Sequence, residues 1–294
     1  MRIESGRRVD RESVEPASDG MSIAIAVEEE VSLRAIIRRG GAAVPFLFVH
    51  GLASNAHLWD EVADLAAARG HDSVTVDQRG HGESAQVEHG YDFATLAHDL
   101  ATVVRAQLDS PVIAVGQSWG GNVVLEFGAR YPNLVAGLGL VDGGFLRLAD
   151  GFPSYEDARK ALTPPSFAGL TYDDLRERMR RHLPGFSEAA LDAQMANFER
   201  IPAGGVRSRL RVSNHMQILE HLWGHDPDRV AGKVSVPTAV VAVAGGLAPP
   251  NRVADFVQKA GASLYWVDGH HDVHAQQPQL VGRILLELAA EVSA

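Results

Sequence analysis

The residues best suited to carry chemistry are Gly116-Gln117-Ser118-Trp119-Gly120, a G-x-S-x-G pattern. The apolar run PVIAV ends at its first glycine, and the helical run NVVLEFGARY begins just after it. That context gives the pattern its meaning. A serine on a tight strand-to-helix turn is held in a strained backbone conformation, which lifts its hydroxyl clear of the sheet edge. It also sits at the positive end of the following helix. Small residues two before and two after the serine keep strand and helix from colliding. A hydroxyl is a weak nucleophile until a base takes its proton, and the chain offers 13 histidines for that role. It has no cysteine, which excludes a thiol nucleophile, thiolate metal ligands and disulfides together.

The elements that must hold this serine follow from hydrophobic periodicity. Two strand-like runs, Ser22–Val27 and Val31–Arg38, are followed by a strand at Pro45–Val49 and a helix at Leu58–Arg69. A strand at Ser73–Val76 leads to a helix at Leu96–Leu108, where Leu96, Leu100, Val103 and Val104 share one face. Next come a strand at Val112–Val115, a helix at Gly121–Tyr131 and a strand at Val135–Val141. The pattern resumes with strand Thr238–Ala244, helix Arg252–Ala260, strand Ser263–Val267 and helix Leu280–Val292. Apolar strands alternating with helices predict an α/β fold, a mostly parallel twisted sheet covered on both faces, with the first two strands as an antiparallel edge. From Phe145 to Trp223 the sequence predicts no strand but four helical pieces: Tyr155–Leu162, Tyr172–His182, Ser187–Phe198 and His215–Trp223. The expected division is an N-terminal extension at 1–20, a core at 21–144 and 225–294, and a helical cap at 145–224. Trp223, Phe152, Phe167, Phe186, Met195 and Phe198 could line a pocket beneath that cap, though apolar residues at helical spacing usually form a packing face.

His50-Gly51 after a strand, Asp77-Gln78-Arg79-Gly80-His81-Gly82-Glu83-Ser84, the turn GQSWGG and the late Gly269-His270-His271 together resemble the α/β-hydrolase superfamily. The resemblance runs from about residue 22 to the C-terminus and leaves out only the helical insert. It implies Ser118 as nucleophile, with the backbone N–H groups of Leu52 and Trp119 as the oxyanion hole. It also implies His271 as base: His271 lies seven residues before Pro278, the spacing of the family's G-H-x-x-x-x-x-x-P pattern, and is preferred over His270. His50 then organises the loop beside the oxyanion hole, His81 belongs to the DQRGHGES turn, and His274 supports the structure. The sequence departs from the family at the triad acid, usually found just after the strand Thr238–Ala244. No Asp or Glu occurs between Ala239 and Arg252. Asp142, at the end of the strand after the nucleophile, is the expected substitute, because the acid only has to orient and stabilise the imidazole. Asp142 as a loop cap, or Asp268 or Asp272 as a local acid, are the competing readings.

The resemblance therefore implies a serine hydrolase acting on a carboxylic ester or lactone of a small, fairly apolar molecule, with no cofactor and no metal. Two alternatives stand beside it: a C–C bond hydrolase, disfavoured because Asp272 stands where those members carry Trp, and a non-catalytic ligand-binding or receptor-like member. With 27 Lys and Arg against 37 Asp and Glu the net charge is −10, which argues against nucleic-acid or anionic-membrane partners. No run reaches the roughly 18 apolar residues that span a bilayer. The first twenty residues carry no signal-peptide core, so a cytoplasmic location is expected.

Overall fold

The structure, a computed structural model, describes residues 20–202 and 204–294. The expected N-terminal extension lies outside the described residues except for Gly20. Among the described residues the strands are β1 (Met21–Glu28), β2 (Val31–Val49), β3 (His71–Val76), β4 (Val112–Gln117), β5 (Val135–Val141), β6 (Phe198–Arg200), β7 (Val206–Ser208), β8 (Thr238–Val243) and β9 (Ser263–Val267). The helices are α1 (Asp60–Ala67), α2 (Phe93–Gln107), α3 (Trp119–Arg130), α4 (Leu148–Gly151), α5 (Tyr155–Leu162), α6 (Tyr172–His182), α7 (Glu188–Met195), α8 (Val212–Gly224), α9 (Pro227–Ala231), α10 (Pro250–Ala260), α11 (Val273–Gln276) and α12 (Pro278–Val292).

Seven strands form one sheet in the order β1-β2-β4-β5-β8-β9, with β3 also paired to β2. β1 is the antiparallel edge that the sequence predicts, and β4, β5, β8 and β9 run parallel. One expectation is corrected here. Val31–Arg38 and Pro45–Val49 are not separate strands but halves of β2, which bends around β3. Its second half runs parallel to β3, from Phe46 opposite Ser73 to Val49 opposite Val76, while Ala35 to Arg38 meet the same residues in the opposite sense. A second correction is the β6–β7 hairpin, inside the segment expected to hold no strand.

The period-two alternation of the strands divides the core. Val112 and Ala114 of β4 join α2, α3 and α10 on one face, and Ile113 and Val115 join α1 and α12 on the other. Each such buried Val or Leu stabilises the fold by about 1.5–3 kcal/mol. Caps fix where helices start: the Asp92 carboxylate accepts from the N–H groups of Ala94 and Thr95, and Thr171 with Asp174 forms a capping box on α6. Among the described residues no helix is long and apolar enough to cross a membrane.

Candidate active site

β4 is wholly buried, so its end is fixed in the sheet, and the chain must turn sharply to start α3. Ser118 makes that turn at φ 53° and ψ −126°, a conformation costing about 1–3 kcal/mol for a non-glycine residue. The flanking glycines are required by close approach. A Cβ on Gly116 would lie 2.2 Å from the Gly120 carbonyl oxygen, and one on Gly120 would lie 2.3 Å from that of His50. The Ser118 N–H donates to Val141 O at 3.0 Å, which pins the turn to the end of β5.

The next residue of β5's chain is Asp142, buried and also at positive φ (42°). Asp tolerates that region better than most residues, and here it directs the carboxylate across the end of β8. One carboxylate oxygen accepts from the Val243 N–H at 3.1 Å. The other accepts from His271 Nδ1 at 2.6 Å. A carboxylate that only accepts fixes the imidazole proton on Nδ1 and leaves the Nε2 lone pair free. Desolvation is the largest influence on His271 and disfavours its charge. The Asp142 hydrogen bond, with the charges of Asp272 and Asp142, outweighs it and holds the imidazole above its usual 6.5.

Ser118 is tied to this pair through its neighbours: the Gln117 amide donates to the His271 carbonyl oxygen at 3.2 Å. Among the described residues Ser118 Oγ itself has no hydrogen-bond partner, an open contact of the kind that often tightens only with substrate bound. His270 Nδ1 accepts from the Asp272 N–H, and the Asp272 carboxylate accepts from Gln194.

A family model described as the alpha/beta hydrolase fold matches residues 44–277. The chain belongs to the α/β-hydrolase family. It is similar to a non-heme haloperoxidase of Rhodococcus erythropolis, 38% identical over 91 residues that cover 31% of this chain and 33% of that one. An esterase of Mycobacterium tuberculosis is 38% identical over 107 residues, 36% of this chain and 35% of that one. These alignments span about a third of the length of the curated relatives. Among solved structures, E-2-(acetamidomethylene)succinate hydrolase superposes with a TM-score of 0.77 at 21% identity, covering 92% of this chain and 99% of that one.

In this α/β-hydrolase the loop from His50 to Ala53 is braced by two neutral histidines. His50 Nδ1–H donates to Gly51 O at 2.7 Å, and its Nε2 accepts from the Gln78 N–H at 3.0 Å. His81 Nδ1–H donates to Arg79 O, and its Nε2 accepts from the N–H of Ala53, the positive-φ residue after Leu52. Burial pushes the two imidazoles down to about 4 and about 3, so both keep the tautomers these bonds require. His274 is equally buried, held down to about 4, and packs on Trp59 with ring centroids 4.2 Å apart.

Sequence reading does not find Gln117 or Gly246. A Cβ on Gly246 would lie 2.8 and 2.9 Å from the two Asp142 carboxylate oxygens. The loop after β8 therefore leaves room for a carboxylate arriving from β5. The available signal was the Gly245-Gly246 pair standing where the family's acid is expected.

A cavity of about 360 Å³ opens beside Ser118, Leu52 and Trp119. Its apolar walls come from Phe145 and Leu146, from Phe152 and Leu162, from Leu219 and Leu222 on α8, and from Leu247 to Pro249, and Arg147, Asp150, His215 and Arg252 also line it. Of the aromatic residues singled out in the sequence, Phe152 lines it. Phe167, Phe198 and Met195 instead pack together inside the insert, and Phe186 packs near Leu58 and Ala275. The insert meets the sheet end through Asn55, which donates to Ala193 O and Asn197 Oδ1, and through the Gln194–Asp272 bond. The Asn122 amide, one turn along α3 from Ser118, donates to Leu146 O and to His225 Nδ1, at either end of the insert. Among the described residues no three His, Asp or Glu side chains gather as a metal-binding group.

Proposed function

We propose that this chain is a serine hydrolase that cleaves a carboxylic ester or lactone of a small, largely apolar molecule through an acyl-enzyme on Ser118. The observation that carries the reading is the 2.6 Å bond from Asp142 to His271 Nδ1, beside a serine held at positive φ on the strand-to-helix turn. The esterase among the similar proteins supports the same class.

His271 Nε2 takes the Ser118 proton as Oγ attacks the carbonyl carbon. The Leu52 and Trp119 N–H groups receive the developing oxyanion, each worth roughly 3 kcal/mol of transition-state stabilisation. His271 then gives its proton to the departing alkoxide, and the acyl group stays on Oγ. Water deprotonated by the same imidazole releases the acid and restores the serine. Asp142 orients the imidazole and stabilises its charged form. Residues 145–224 act as a cap that closes the substrate cavity, and the substrate is the sole partner required.

The test is hydrolysis of short-chain p-nitrophenyl esters by the wild type and by Ser118→Ala. Ser118→Ala is expected to lower kcat by about 10⁵–10⁶-fold with the melting temperature preserved. Equal rates for the two proteins across several esters and lactones would refute the hydrolase reading.

A further inference from the structure

We propose that the substrate carries a free carboxylate, and that the Nε and Nη2 edge of Arg252, in the wall of the cavity beside Ser118, holds it. The proposal rests on the ester-hydrolase reading and adds a charged group that the substrate bears away from the bond that is cut.

Arg252 stands in the first turn of α10, lines the same cavity as Ser118, and keeps 11% of its side-chain surface exposed. Its Nη1 donates to Asp228 at 2.8 Å. Nε and Nη2 are buried and have no hydrogen-bond partner among the described residues. These two nitrogens form the side edge of the guanidinium, where parallel N–H groups match the two oxygens of a carboxylate. At the buried arginines Arg38 and Arg79 that edge is filled. Arg79 donates from Nε and Nη2 to the two oxygens of Asp99 at 2.7 and 2.8 Å, and Arg38 donates from the same two atoms to Asp64 and Asp60. Of the three, Arg252 leaves the edge unfilled, and it is the one in the wall of the cavity.

The neighbours of that edge leave it to a ligand. Asp150 Oδ2 lies 3.3 Å from Nε but makes no hydrogen bond with it, and the Asp150 side chain is 45% exposed, 3.7 Å from Arg147. A side chain so placed can turn toward Arg147 and give way to a substrate carboxylate. Asp228 is engaged elsewhere, since Lys259 donates to its other oxygen at 2.7 Å. His215 neither holds an anion nor competes for one. Its Nε2–H donates to Leu162 O at 3.0 Å and burial holds the imidazole below its usual 6.5, so the unpartnered Nδ1 offers only a lone pair. The Trp119 indole N–H is also unpartnered, but one neutral donor cannot grip both oxygens. The leucines and phenylalanines of the wall suit the apolar chain between ester and carboxylate.

The experiment measures kcat/KM for p-nitrophenyl esters of adipic, suberic and sebacic acid, with the far carboxyl free or capped as a methyl ester. Octanoate esters of hydroxybutyrate and hydroxyhexanoate, free or methyl-capped, place the carboxylate on the alcohol half instead. On the half that reaches Arg252 the free carboxylate is expected to be preferred by about 10–100-fold at its best length, mostly through KM. Arg252→Gln is expected to bring that ratio to parity. Arg252→Lys, which keeps the charge without the fork, is expected to give an intermediate ratio, and Asp150→Asn, which removes the competing carboxylate, to raise it. The ratio is taken within each variant, so a general loss of stability does not imitate the effect. If Arg252→Gln does not fold, the ratios in Arg252→Lys and Asp150→Asn test the same proposal. Capped esters cleaved as fast as the free acids at every length, or a ratio unmoved by the Arg252 variants, overturns the proposal while leaving an esterase. A preference for the capped esters that Arg252→Gln removes also overturns it, in favour of a neutral oxygen at the same edge. Absence of any Ser118-dependent turnover removes the hydrolase reading, and the proposal falls with it.

Discussion

The sheet end around Ser118 and the inserted segment 145–224 are held together by different means. At the sheet end the side chains around Ser118 are held by burial: Asp142 is 2% exposed, His50, His81 and His274 are buried and uncharged, and the bonds of Asp142, His50 and His81 run mostly to backbone. In the insert, α6 and α7 are joined by exposed ion pairs, Arg176 with Glu188 and Asp192 and Arg180 with Glu188, and the hairpin by Arg207 with Glu199. Pairs of that kind contribute little each and exchange readily with water. Tolerances of a fraction of an ångström are kept where the dielectric is low and displacement is costly. The insert's ion pairs lie on α6, α7 and the hairpin, whereas the cavity beside Ser118 is walled by α4, α5, α8 and the loop after β8.

The largest break in that contrast is Asp142→Asn, expected to lower kcat by about 10⁴-fold. The acid limb of kcat/KM, expected above pH 6.5 in the wild type because the Asp142 bond and the nearby carboxylate charges raise His271, should move to lower pH in the variant. A loss below tenfold would move the acid's role to another residue. Next is Gly246→Ala, whose Cβ must push the carboxylate from a 2.8 Å approach. A turnover loss of about 10–100-fold is expected, with KM little changed, measured by steady-state kinetics. The third concerns acid stability. His50, His81 and His274 titrate in the fold at about 4, 3 and 4 but near 6.5 once unfolded. Below pH 6.5 the unfolded chain binds more protons, so their contribution is whole above that pH and is lost as pH falls toward 4. Melting followed by circular dichroism should show the loss, with an uptake of about three protons on unfolding near pH 5. A flat profile from pH 7 to 4 would mean these histidines are not buried and neutral. Smallest is Glu188→Gln in the insert, expected to shift the melting temperature by less than about 2 °C. A larger drop would show that the insert's ion pairs form a cooperative network.

The fold was largely legible because its strands are buried on both faces, and β5 and β9 have the bounds that periodicity predicts. The turn at Ser118 was legible for a local reason: its glycines and flanking runs lie within a few residues. The Asp142–His271 pairing was legible only through the family resemblance, with the lack of an acid after β8 turning attention to the end of β5, since the contact joins residues 129 apart. What periodicity missed depends on tertiary context. The Gly40-Gly41 step reads as a break between strands, yet β2 continues through it because β3 pairs with both halves. FER and VRS form a hairpin without an apolar alternation to announce it. Gln117 and Gly246 act through long-range contacts with the His271 carbonyl and the Asp142 carboxylate, which no spacing rule encodes.

Because the carboxylate beside His271 hangs from β5, the loop leaving β8 has no acid of its own to supply. Gly246 remains as a fixed post, but Leu247, Ala248 and Pro249 only form cavity wall, and Leu247 is 63% exposed. Under the proposed function, changes of length or bulk at these three positions are expected to alter the cavity while the Asp142–His271 bond stays in place. On that reading the cavity wall after β8 and the carboxylate after β5 lie on separate strands, and either can change in sequence without the other.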